Sequence, residues 1–148
     1  MLKYSNQQVR RLGGVLIFLG GLGFLFSGVK QLLRFFFLYL TTPWIEPSNP
    51  VTVYLKFARP FVFPLLGLIA SIAAVKAVSN RSIHMYWLVG TLITAFWGVI
   101  DGIFLEIYNW TYEPIYIFRL DLMYFLIIIL LLQCCPMILG TYLVYRNN

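Results

Sequence analysis

Charge is scarce in this chain of 148 residues, with five Asp and Glu, eleven Lys and Arg, and a single histidine, His84. The two cysteines, Cys134 and Cys135, are adjacent. No HxxxH, CxxC or Cys/His spacing is available to hold zinc, haem or an iron–sulfur cluster, so neither a metal nor a cofactor is expected. Vicinal cysteines would need a strained ring to bridge each other, and they read as buried thiols. No Gly-rich loop follows a strand, and no Ser, Cys and His fall into a nucleophile–base motif. The chain therefore reads as non-catalytic.

What is abundant is apolar: 61% of residues are hydrophobic and 11% are charged, a balance that a soluble domain of this length does not show. A membrane span takes about 20 apolar residues to cross a hydrocarbon core of roughly 30 Å. Four runs meet that requirement, at about 12–29, 57–78, 85–107 and 120–145, leaving room only for short connections. The expected fold is an all-α, integral membrane four-helix bundle forming a single multi-pass domain over 1–148. The net charge of +6 comes from Lys and Arg flanking the apolar runs, where they meet lipid phosphates. Nucleic acid is not an expected partner. Lys3, Arg10 and Arg11 imitate the start of a signal peptide, but no small-x-small cleavage site follows, so the segment is expected to be retained.

Glycine orders the first run. Gly14, Gly21 and Gly28 recur every seven residues, and Gly13, Gly20 and Ser27 recur one step over. Such small-residue stripes let helix backbones approach closely in lipid, where little hydrophobic force acts between helices. Replacing Gly21 with Leu is expected to push the first helix away from its neighbour. Gly67, Ser71 and Ala74 give the second span a small face of its own, and Gly90, Thr94, Gly98 and Gly102 form a ridge on the third.

The segment after Lys30 is rich in aromatics and carries Lys30 and Arg34 one turn apart. It reads either as an extension of the first helix or, the favoured reading, as a bent segment lying in the membrane interface. Pro43, Pro47 and Pro50 then define a true loop, and Pro136 is expected to bend the last span by freeing the carbonyl of Leu132. Gln133, beside it, has the chemistry to bond across to another helix.

Threaded as alternating spans, the chain places all five carboxylates, Glu46, Asp101, Glu106, Glu113 and Asp121, toward one membrane face. Lys30, Arg34, Lys56, Arg59 and Arg119 lie there too, so the layer is neutral. Asp101 is the deepest acid, about 9 Å from mid-span at the helical rise. Its expected partner is Arg59 or Lys30, and Arg34, Glu106, Arg119 and Asp121 complete the candidate polar layer. Glu106 is about 140° around the helix from Asp101, which argues against a paired-carboxylate acid/base site. Asn109-Trp110-Thr111 matches a glycosylation sequon on the same face.

Lys3, Arg10, Arg11, Lys76, Arg81 and Arg146 fall on the opposite face, which favours cytoplasmic termini. Three functions fit. The foremost is a structural or accessory subunit of a larger membrane complex, with membrane lipids and other subunits, or further copies of itself, as partners. The second is a small ion, proton or solute transporter or channel using Asp101. The third is a lipid- or quinone-binding protein.

Overall fold

Glycine determines how the helices meet. The computed structural model describes residues 5–41, 50–112, 124, 127–128 and 130–148. Its elements are α1 (Asn6–Thr41), α2 (Pro50–Val53), α3 (Arg59–Val78), α4 (Met85–Tyr112) and α5 (Cys135–Arg146). Wide π-turns at Tyr54–Ala58 and Leu130–Cys134 lead into α3 and α5. No strand occurs among the described residues.

Three stretches are long and apolar enough to cross a membrane: Asn6–Phe37, Tyr54–Val78 and Met85–Phe104. Their outward faces carry large apolar side chains, including Phe26, Leu33, Phe37, Leu65, Phe96 and Ile103, in numbers that water would not tolerate on a monomer.

The interface helix expected after the first span is not a separate element. α1 runs unbroken for 36 residues, about 54 Å at 1.5 Å per residue. The physical reason is plain in the sequence: no Pro or Gly interrupts the stretch from Gln31 to Thr41, so nothing ends the helix. Phe35 on this extension packs edge-on against Phe57 and Phe61, at centroid distances of 6.2 and 5.2 Å.

The two glycine stripes of α1 serve two different neighbours. Gly14, Gly21 and Gly28 lie on α3: a Cβ there would meet Ala77 Cβ at 2.8 Å, Ala70 Cβ at 2.9 Å and the Pro64 nitrogen at 2.5 Å. Gly13 and Gly20 lie on the last helix, with the Gly140 carbonyl 2.7 Å from a Cβ at Gly13 and the Gln133 carbonyl 2.6 Å from one at Gly20. Gln133 itself lies over Gly23. The ridge on α4 is also used: Gly90 faces Ile69 of α3, Gly98 faces the Phe24 ring and Cys134 Sγ, and Gly102 is buried. Phe24, Ile17, Ala70, Ala95, Met137 and Val144 fill the space between the helices.

Short polar links fasten α4 to the last helix. The buried Thr91 and Thr141 hydroxyls lie 2.7 Å apart, and the Cys134 thiol donates to the Ala95 carbonyl at 3.1 Å. Pairs of this kind contribute about 0.6 kcal/mol in a membrane protein.

The turn between α3 and α4 is set by Asn80, whose φ is 54°. Its N–H donates to Ala77 O and that of Arg81 to Lys76 O, at 3.3 and 3.0 Å. This double closure caps the helix by way of one left-handed residue, a conformation that Asn tolerates and β-branched residues resist. Asn80→Val should lower stability by about 1–2 kcal/mol, whereas Asn80→Gly should not destabilise the turn. Thermal unfolding of the two variants in detergent checks the difference; equal losses would mean the left-handed residue is not what holds the turn.

Candidate ion-pair site

The site begins with a proline. Pro60 has no N–H, and its ring collides with the carbonyl four residues back, that of Lys56. The chain widens there into the π-turn Tyr54–Ala58, closed by a bond from the Arg59 N–H to the Tyr54 carbonyl. In a regular α-helix residues five apart point about 140° away from each other. A turn closed over five residues instead stacks Tyr54 and Arg59 on one face. Pro136 stands in the same relation to the second π-turn, since Leu132 is at the middle of Leu130–Cys134.

That shared face meets Asp101 on α4. Arg59 binds the carboxylate through two parallel bonds, Nε to Oδ1 at 2.7 Å and Nη2 to Oδ2 at 2.8 Å. The Tyr54 hydroxyl donates to Oδ1 at 2.8 Å, and Trp97 Nε1, one turn before Asp101, donates to the Tyr54 oxygen at 3.0 Å. The Arg59 guanidinium carbon lies 4.9 Å from the centre of the Phe63 ring. Tyr54 is enclosed by Trp97 and Phe104, at ring distances of 6.0 and 5.0 Å. Asp101 is 4% exposed, so this is a buried pair, and it is the one ion pair among the described residues.

Chemically the cluster is closed. Planar two-point contact is the strongest geometry available to a guanidinium and a carboxylate, and the aromatic shell keeps water from competing. Oδ1 accepts two bonds and Oδ2 one, and the opposite charges cancel. A carboxylate held in this way has little left to offer a passing cation.

Of the two partners expected for Asp101, the structure selects Arg59. Lys30 and Arg34 are exposed on α1 and take no part in the cluster. Glu106 lies on α4, with its side chain outside the described residues, as are Arg119, Asp121, Glu46 and Glu113. Asn109 belongs to α4. Tyr54 carries no periodic signal in the sequence. Pro60, in a run otherwise free of helix breakers between Val51 and Arg59, is the feature that marks its turn.

The two ends of the bundle differ. Arg10 donates to the Arg81 carbonyl and Asn148 Nδ2 to the Ile83 carbonyl, which places the start of α1, the α3–α4 turn and the end of α5 together. Asp101 and its partners lie at the opposite end. Comparison of the chain with protein-family models, curated proteins and solved structures finds no match.

Proposed function

We propose that this chain is a four-span integral membrane bundle without chemistry of its own, acting as a structural or accessory subunit of a larger membrane assembly. The fourth span is the helix that includes Leu130–Arg146. It follows α1 from Gln133 at Gly23 to Val144 at Gly13, and it turns Leu131, Leu132, Leu139 and Tyr142 outward. The termini are cytoplasmic in this reading, because the end that holds them carries Arg10, Arg11, Lys76, Arg81 and Arg146 and no acid among the described residues.

One observation carries the functional part. The deepest acid, the natural place for ion or proton handling in a membrane, is already engaged by Arg59 and Tyr54. A group so occupied stabilises helix contacts. The broad apolar faces of α1, α3 and α4 remain for lipid and for neighbouring membrane proteins.

Native mass spectrometry of the chain, extracted gently from its own membrane, tests the proposal. The expected result is a defined mass that includes other polypeptides at fixed stoichiometry. A free monomer that sustains ion flux in proteoliposomes, with flux lost in Asp101→Asn while the fold is kept, would overturn it in favour of transport through the Asp101 site.

A further inference from the structure

Gln133 sits where lipid offers it no hydrogen bond. Its carbonyl faces Gly20 of α1 and its side chain lies over Gly23, where the absence of a Cβ gives the amide its seat. Arg11 and Lys30, the cations bounding this stretch of α1, are 19 residues or about 28 Å apart, close to the roughly 30 Å of a hydrocarbon core. Gly20 and Gly23 both stand within about 4 Å of the midpoint between them. The amide is therefore near the bilayer midplane, out of reach of headgroups and water.

Neighbouring polar groups are satisfied inside the chain. The Cys134 thiol donates to the Ala95 carbonyl, and the Thr91, Thr94 and Thr141 hydroxyls donate to carbonyls three or four residues back. On α1 beyond Gly23, Gln31 Nε2 donates to Ser27 Oγ at 3.0 Å. Gln133 differs: its side chain is half-buried and bonds to no described residue. A carboxamide carries two donors and an acceptor, and leaving them unmade in hydrocarbon is costly. At this depth the group that can answer them belongs to another helix.

We infer that the seam between α1 and the last helix at Gly23 receives a transmembrane helix of a partner subunit, which presents to Gln133 an uncharged side chain that both donates and accepts: Asn, Gln, Ser or Thr. The inference rests on the accessory-subunit reading and names the face through which the chain joins its assembly. A charged partner group is excluded by depth, since nothing described at this level would neutralise it. Phe26, three residues beyond Gly23, is 80% exposed, more than any other large apolar side chain among the described residues, and supplies an anchor beside the amide. A second copy fits less well. The last helix turns Leu131, Leu132 and Leu139 outward, so two copies meeting there would each keep Gln133 turned into its own seam.

Benzoylphenylalanine in place of Phe26, in the full chain and in its own membrane, provides the test. Illumination should join position 26 to one polypeptide, and mass spectrometry should map the adduct to an apolar helix within one turn of an Asn, Gln, Ser or Thr. The same probe at Phe96, exposed on α4, should not form that adduct. Gln133→Leu should reduce the adduct about threefold. The same variant should leave unfolding of the isolated chain unchanged or improved, because no described residue bonds to the amide.

Adducts with lipid alone, or with a second copy, would overturn the inference. So would equal adducts from positions 26 and 96, or an adduct undiminished in Gln133→Leu. Loss of stability of the isolated Gln133→Leu chain would make the amide an internal structural group and overturn it as well. A free monomer in native mass spectrometry removes the accessory-subunit reading and this inference with it; an intact assembly that forms adducts from Phe96 alone removes only the inference.

Discussion

Asp101→Ala should cost about 3–5 kcal/mol of stability, the loss expected when one partner of a buried pair is removed and the other charge is stranded. Arg59 would be left beside Phe63 with no carboxylate, and the Tyr54 hydroxyl would lose its acceptor. Arg59→Ala should be damaging for the same reason. The informative variant is the double one: with both charges gone nothing is stranded, so Asp101→Ala/Arg59→Ala should be less destabilised than the sum of the singles by at least about 2 kcal/mol. Tyr54→Phe should cost about 1–3 kcal/mol, because it removes one bond to Asp101 and orphans Trp97 Nε1. Unfolding by titration with a denaturing detergent measures all four. Strictly additive singles would mean that the carboxylate and guanidinium are not coupled in the folded protein.

The second large effect is expected where backbone meets backbone. A Cβ at Gly13 would lie 2.7 Å from the Gly140 carbonyl, and one at Gly140 would lie 2.5 Å from the Gly13 carbonyl. Neither side can rotate away, so Gly13→Val or Gly140→Val should lose about 3 kcal/mol, the upper part of the range for overpacking. Gly28→Ala should follow, because its Cβ meets the Pro64 nitrogen at 2.5 Å and the Phe63 carbonyl carbon at 2.9 Å. Gly21→Ala should be milder, having only the methyl of Ala70 close by, although Gly21→Leu would still separate α1 from α3. Gly23→Ala meets the far end of a flexible side chain, Gln133, and should be mildest. The rank order is the test: Gly21→Ala as harmful as Gly28→Ala would show that the seam is packed in another register.

These two features were unequally visible in the sequence. The seven-residue repeat of glycine is a periodic signal, and it located both stripes of α1; what it could not tell is that adjacent stripes, about 100° apart, face different helices. The pairing of Asp101 with a cation follows from the cost of an isolated charge in an apolar run. Choosing Arg59 over Lys30 needed the helix arrangement, since both sit at similar depth. Tyr54 was hidden for a stricter reason: its position on the face of Arg59 depends on a turn of irregular pitch, and residue periodicity assumes a constant one. The continuation of α1 past Lys30 shows the opposite lapse, in which amphipathic character outweighed the absence of any residue able to stop the helix.

The π-turn before α3 makes the ion-pair site depend on a count as well as on identities. A turn closed over five residues holds one more than its α-helical equivalent, so at their present separation Tyr54 and Arg59 are in phase only while the turn stays wide. Inserting one residue after Leu55 would leave Arg59, Asp101, Tyr54 and Trp97 all in the chain, yet set Tyr54 and Arg59 six apart, about 120° from one another on a regular helix, whereas deleting Leu55 would set them four apart, about 40° from one another, and keep the shared face. For a protein of this architecture, gain of one codon in this segment is a different kind of injury from any substitution in it. Leu55 contributes no bond to the cluster, so its identity matters less to the site than the spacing between hydroxyl and guanidinium.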